Sequence, residues 1–352
     1  MHVPDGFINA PVSAAAGVVA AGAVAVSLRG ARRELDERTA PLAGLVAAFV
    51  FAAQMLNFPV AAGTSGHLLG GALAAILVGP FTGVLCLSVV LLMQGILFAD
   101  GGLTALGVNI TVMGVVTTVV GYAVFRALVK VLPKKRPSIT VSAFVAALLS
   151  VPAAAAAFTL VYAVGGTTDV PIGQVLTAMV GVHLLIGIGE ATITALTVGA
   201  VIAVRPDLVY GARGLTAPLK LRVNGELVDA PAAEPVPVAA RSPRTVLLAG
   251  LVTSLLLAGF VSFYASANPD GLEKVAADKG IDAKAEDHAA ADSPLADYGV
   301  QGITDSRLSG GLAGAIGVGV TVVAGTGVFW AVRRRRTGGT SPASTSDIPG
   351  NA

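Results

Sequence analysis

Two of the four histidines in this 352-residue chain stand where a cation could be gripped. One is His2, in MHVPDG, directly after Met1; the other is His67, in the small-residue run TSGHLLGG. A Met-His start offers three nitrogens: the Met1 α-amine, the His2 amide nitrogen once deprotonated, and the His2 imidazole. These close two fused chelate rings in one plane, and His67 can supply a fourth donor. Planar nitrogen coordination suits Ni(II) or Cu(II), and imidazole suits several late divalent metals. Gly63, Gly66, Gly70 and Gly71 let backbone approach such a site, and Thr64 and Ser65 can orient ligands from behind. Asn57, Gln94 and Asn109 are further polar pocket candidates. A frayed terminus and a merely solvated loop histidine are the competing reading.

A second pair lies in GVHLLIGIGEATIT. His183 and Glu190 are seven residues apart, two helical turns, and so share a face. Glu190 is the one acid placed inside an apolar span, where a carboxylate is costly and functional by default. Pairing by hydrogen bonds in the packing is the alternative. An intramembrane metal-dependent hydrolase using His183 and Glu190 is the runner-up function, although no H-E-x-x-H motif accompanies them. Met55, Met93, Met113 and Met179 fall in the outer halves of their spans, and core filling explains them better than a soft-ligand path. Nine acids, from Asp270 to Asp305, crowd one loop and could concentrate cations near the mouth. No phosphate-binding G-x-x-x-x-G-K-[ST] occurs, so energy for active transport must come from partners or an ion gradient.

The elements that must position these residues are apolar. Hydrophobic residues make up 54% of the chain and charged residues only 12%, about half the share of a soluble domain. This composition marks an all-α polytopic membrane protein. A net charge of +2 gives no reason to expect a nucleic-acid partner. The single cysteine, Cys86, excludes an intrachain disulfide and a cysteine metal site.

Apolar runs lie at about 12–28, 41–60, 68–80, 83–99, 106–128, 139–164, 172–203, 245–266 and 309–332. With 68–99 crossing twice, broken at GPFTG, and the N-terminus outside, 19 of the 23 Lys and Arg fall on the cytoplasmic side. Nine spans are therefore expected, with the C-terminus inside. The first run has its basic residues after it, unlike a cleavable signal, so Met1 is expected to stay on the chain. The N-terminus, the 61–67 loop and the 100–105 loop then share the outer face. Residues 206–244, rich in Pro and Ala, read as a flexible cytoplasmic linker between a seven-span body (1–205) and a two-span module (245–332) with an outward loop at 267–308. Residues 333–352 read as a disordered cytoplasmic tail.

MHVPDGFI, GTSGHLLGG, ADGGLTALGVN and GVHLLIGIGEA resemble the CbiM/NikM substrate-binding subunits of energy-coupling factor transporters, over residues 1 to about 205. ANPDGLEKVA resembles the PDGLE module, akin to the small CbiN/NikN subunit, and accounts for residues 245–332. The resemblance implies uptake of Ni(II) or Co(II) as transported substrate, with no organic cofactor, across a bacterial cell membrane. It implies metal held by the Met1 amine, the His2 amide and imidazole nitrogens, and His67, the set reached above from chelate geometry. It also implies a transmembrane coupling subunit (CbiQ/NikQ-like), a pair of ABC ATPases (CbiO/NikO-like) and a lipid surround. ATP hydrolysis would belong to those partners, so the chain itself would not be an enzyme.

Overall fold

The computed structural model describes residues 1–352 apart from 37–38, 62, 134, 214–219, 224–225, 230–243 and 338–352. Helices dominate: α1 Ala10–Glu34, α2 Thr39–Gln54, α3 Gly71–Val78, α4 Pro80–Leu97, α5 Leu106–Asn109, then a π-helical stretch Ile110–Val116 running into α6 Thr117–Val131. Next come α7 Arg136–Gly165, α8 Ile172–Val204, α9 Arg244–Gly259, α10 Gly271–Lys279 and α11 Ser306–Thr337. Two small antiparallel hairpins complete the set: β1 Phe58–Pro59 with β2 Ser65–Gly66, and β3 Lys220–Val223 with β4 Glu226–Asp229. The all-α membrane architecture expected from composition is what the chain adopts.

Each of the nine expected apolar runs carries a helix, two of them shorter than a full span. Among the described residues, seven helices are long and apolar enough to cross a bilayer: α1, α4, the α5–α6 unit, α7, α8, α9 with its following turn, and α11. The run at 41–60 yields only the 16-residue α2, because Phe58–Pro59 leaves the helix to pair with Ser65–Gly66. The run at 68–80 yields the eight-residue α3, about 12 Å long against a hydrocarbon core of about 30 Å. The break at GPFTG is where the sequence put it. Gly79 separates α3 from α4 with φ 102°, a backbone region that residues with a Cβ avoid. Pro80 then opens α4 at a position where its missing N–H costs nothing. The two helices pack along each other as a hairpin.

Two expectations need correction. The first residues after α8, 206–212, stay on the bundle instead of starting a flexible linker. Leu208, Val209 and Ala212 are buried in the main core, because apolar side chains among the polar ones find space beneath α3 and α6. The chain then forms the β3–β4 hairpin, and much of the remaining linker lies outside the described residues. Arg333 and Arg334 continue α11 instead of starting a disordered tail; residues 338–352 lie outside the described residues.

The C-terminal helices are not a separate body. α11 and α9 both pack on α2. Where the two parts meet, Phe51, Phe98 and Tyr298 stack, with centroid separations of 5.2 Å (Phe51–Phe98) and 4.9 Å (Phe98–Tyr298). Large apolar side chains such as Val18, Leu160, Leu196 and Val323 remain exposed on the long helices, as lipid-facing surfaces require.

Candidate metal centre

The first residues of the chain are not frayed. Met1, His2, Val3, Asp5, Phe7 and Ile8 are all buried, and a ladder of polar contacts explains why. The Val3 N–H donates to Asn109 Oδ1 at 2.8 Å, and the Asn109 amide donates back to the Val3 carbonyl at 3.1 Å. The Gly102 N–H donates to the same carbonyl at 2.9 Å. The Asp5 carboxylate accepts from the backbone of Leu103 and Thr104 and from the Thr104 hydroxyl. Thr167 Oγ1 donates to the Gly6 carbonyl, and Asn9 N to that of Gly165. The terminus is thus threaded between the 100–109 segment and the end of α7, and residue 1 is delivered into the interior.

There the Met1 amine lies 2.6 Å from His67 Nε2. The other ring nitrogen, Nδ1, faces the Leu68 carbonyl at 3.0 Å. A carbonyl only accepts, so Nδ1 carries the proton and Nε2 keeps its lone pair toward Met1. The loop bearing His67 is fixed from α8. Both Glu190 oxygens accept from the loop backbone, Oε2 from Leu69 N at 2.6 Å and Oε1 from Gly70 N at 3.0 Å.

His2 sits beside His67, rings stacked with centroids 5.1 Å apart. Its Nδ1 is 3.2 Å from Asp100 Oδ1 and its Nε2 is 3.2 Å from Gln94 Oε1. The Tyr298 hydroxyl donates to Asp100 Oδ2 at 2.6 Å and accepts from Gln94 Nε2 at 3.0 Å. That orients Gln94 with its oxygen toward His2. Burial pushes the His2 imidazole down to about 4, against the pull of Asp100. A neutral ring has one proton for two acceptors, so one nitrogen faces an acceptor with its lone pair. Two consecutive residues with positive φ, Asp297 (53°) and Tyr298 (56°), hold the tyrosine there; a non-glycine residue in this region costs of order 1 kcal/mol or more.

A third group completes the cluster. Asp270 Oδ2 lies 2.5 Å from the Met1 amine and 3.5 Å from His67 Nε2. Burial pushes its carboxyl up, but the N-terminal ammonium beside it holds it well below the usual carboxylate range. His2, His67 and Asp270 each offer a ligand atom within 4.8 Å of the others, all buried. Beyond them opens a cavity of about 590 Å³ whose walls include Gln54, Asn57, Glu273, Glu286 and His288.

The remaining sequence candidates divide clearly. Gln94 and Asn109 touch the terminus as described. Asn57 lines the cavity, its side-chain oxygen buried without a partner. Ser65 does not reach the histidine; its hydroxyl and N–H donate to the carbonyls of Asn268 and Pro269. Thr64 works through its backbone, closing the β1–β2 turn with Val60 and Ala61. Gly66 packs against Ile186. Met113 and Met179 fill the core around Met1. His183 and Glu190 share a buried face but do not pair: His183 Nδ1 faces the Met179 carbonyl at 2.8 Å, and Nε2 is buried without a partner. With both oxygens of Glu190 on backbone amides, the pair is not arranged as acid and base.

The residues that sequence reasoning passed over are Asp270, Asp5, Asp100 and Tyr298. Asp270 appeared there only as one acid among nine. Its local signal was D-G-L-E, an N-cap residue with Glu at the third position, the pattern of a capping box.

These features agree with what the chain is similar to. The family described as the cobalt uptake substrate-specific transmembrane region matches residues 2–208, and the PDGLE domain matches residues 244–334. A putative metal transport protein of Haloquadratum walsbyi is 39% identical over 210 residues, 60% of this chain and 94% of that one. A putative fused nickel transport protein, NikMN, of Archaeoglobus fulgidus is 39% identical over 59% of this chain and 68% of its own. The cobalt transport protein CbiM of Sorangium cellulosum is 33% identical over 59% of this chain and 94% of its own. A crystal structure of a transition metal transporter matches with TM-score 0.51 and 29% identity, covering 58% of this chain and 93% of that one. These relatives are transport proteins, which leaves the hydrolase reading without support. The chain is a multi-pass membrane protein belonging to the CbiM family of cobalt-uptake transmembrane regions, fused to a PDGLE domain.

Proposed function

We propose that the chain is the substrate-binding subunit of an energy-coupling factor transporter that takes up Ni(II) or Co(II), with the metal held by the Met1 amine, His2 and His67. Residues 1–205 form the metal-binding permease body and 245–332 a CbiN/NikN-like module. The N-terminus and the 267–308 loop lie outside, and the C-terminus inside. A coupling subunit and a pair of ATPases supply the work, since the chain has no phosphate-binding loop of its own.

The observation that carries this reading is the approach of the Met1 amine to His67 Nε2 at 2.6 Å in a buried setting. A chain end is ordinarily mobile and solvated. Here about ten polar contacts and several buried side chains fix it, and the atom so fixed is a good metal donor. The second residue completes the chelate. Its amide nitrogen is adjacent by connectivity, and its imidazole, neutral through burial, has a lone pair to give. In the structure both ring nitrogens face Asp100 and Gln94, so the planar nitrogen set is not closed. Binding requires the His2 ring to turn from these acceptors toward the amine. The turn gives up one hydrogen bond and one contact lacking its proton in exchange for a metal bond.

The test is metal content. The full chain, purified in detergent from cells supplied with nickel and cobalt, should retain about one ion per chain. Inserting one alanine between Met1 and His2 breaks the fused rings and should reduce retained metal to background. Undiminished binding by the insertion variant would overturn the assignment.

A further inference from the structure

We propose that the C-terminal module contributes a ligand of its own: the Asp270 carboxylate binds the transported cation through Oδ2, alongside the Met1 amine and His67 Nε2. This rests on the metal-binding reading above and extends it across the fusion.

The three donor atoms form a triangle with edges of 2.5, 2.6 and 3.5 Å. Donors bound about 2.0–2.1 Å from a metal and at right angles to one another lie about 3 Å apart, so the triangle has the size of one face of a coordination shell. A carboxylate also brings negative charge to a divalent ion that the nitrogen set, with at most one deprotonated amide, only partly neutralises.

The aim of Oδ2 is built into the local sequence. Asp270 is the N-cap of α10. Its Oδ1 accepts from Glu273 N at 2.9 Å, and Glu273 Oε2 accepts from Asp270 N at 2.8 Å. This reciprocal pair uses one oxygen and locks the side chain, leaving the other to point away from the helix at Met1. The rest of ANPDGLEKVA fastens the helix to the body. The carbonyls of Asn268 and Pro269 accept from Ser65, two residues before His67. Leu272, Val275 and Ala276 are buried beside Ile186 of α8. At Gly271 a Cβ would come within 2.7 Å of the Ile186 side-chain tip and 3.1 Å of His183, so a larger residue would have to push these side chains aside for the acid to stay at this depth. The cap, the two carbonyls and the buried apolar residues of the motif together lower one carboxylate oxygen onto the amine.

A purely structural ion pair between the chain end and Asp270 is the competing role, and the metal's own spectrum separates the two. The full chain, loaded with Ni(II) in nanodiscs, is examined by X-ray absorption at the nickel edge and by competition binding. The wild-type shell should contain an oxygen donor with carboxylate scattering beyond it. Asp270→Ser keeps an N-capping acceptor but cannot reach the metal. It should lose that oxygen and weaken binding by about 10–100-fold, at least the loss typical of removing a supporting group. An all-nitrogen shell in the wild type overturns the proposal without any variant. So does a serine variant with unchanged spectrum, whether its affinity falls or not. His67→Ala is the control for the underlying reading. If it loses metal while Asp270→Ser behaves as wild type, only the carboxylate assignment fails. If it keeps tight binding, the metal site itself has been misplaced.

Discussion

Two buried histidines in this molecule are partnered in opposite ways. His67 has one ring nitrogen satisfied by its neighbour's carbonyl and the other converged on by an amine and a carboxylate. His183, on α8, lines a small pocket beside Met1 and His67, with one nitrogen facing the Met179 carbonyl and the other without a hydrogen-bond partner among the described residues. In the sequence both are lone histidines in apolar or small-residue surroundings, and His183 has the more suggestive neighbour in Glu190. The contrast teaches that burial and spacing do not make a site. Convergence of donors does, and it is produced by chain segments remote in sequence: residues 1–2, 67 and 270.

Glu190 belongs to the first histidine, not the second. Its carboxylate clamps the backbone just after His67, so α8 holds the loop that carries that histidine. The sequence could not show this, because the partners are backbone amides that any residues at 69 and 70 would offer.

Substitutions at the two histidines and at the groups around them should differ widely in their effect on metal binding. His67→Ala removes a donor and should lower metal affinity more than 100-fold in competition binding, whereas His183→Ala should change it less than about 3-fold; similar effects for the two would erase the distinction drawn here. Asn109→Ala removes two hydrogen bonds from the Val3 backbone and leaves its buried N–H unpaired, while Gly102 still holds the carbonyl. It should weaken metal binding about 10-fold through misplacement of Met1, with loss of roughly 1–3 kcal/mol for the unmet group. Glu190→Gln has only one acceptor for two amides. It should lower the melting temperature of the metal-free protein through a similar penalty and weaken binding several-fold, with the bound-metal spectrum unchanged. A changed spectrum would make Glu190 a ligand.

A pH dependence follows from His2. Its folded value of about 4 lies below the ordinary 6.5, so the unfolded chain binds the extra proton more readily. The stability of the metal-free protein is therefore full above pH 6.5 and falls as the pH is lowered toward 4. The total is at most about 3 kcal/mol. Thermal unfolding across this range should show the slope, and His2→Asn should flatten it; an unchanged slope would mean that His2 is not held neutral by burial.

How much of this was legible depended on range. The Met-His start and the small-residue loop around His67 carry their chemistry in adjacent residues, and charge bias placed both loops on one face. The hairpin break at Gly79–Pro80 was also local. What the sequence hid was set by packing. Hydropathy recognised the run at 68–80 but not that only eight of its residues are helical, with Leu69 and Gly70 before them held by Glu190. The Pro- and Arg-bearing stretch after α8 looked like linker, yet Leu208, Val209 and Ala212 found apolar cover. Asp270 looked like one solvated acid of nine because its partner lies 269 residues away.

The central claim is that the start of the chain and His67 grip the transported ion. Anomalous scattering at the nickel edge, from crystals of the nickel-loaded full chain, tests it most directly. The account predicts a single strong peak within bonding distance of both the Met1 amine nitrogen and His67 Nε2. A peak elsewhere, at His183 or among the acids of the 267–308 loop, would contradict it.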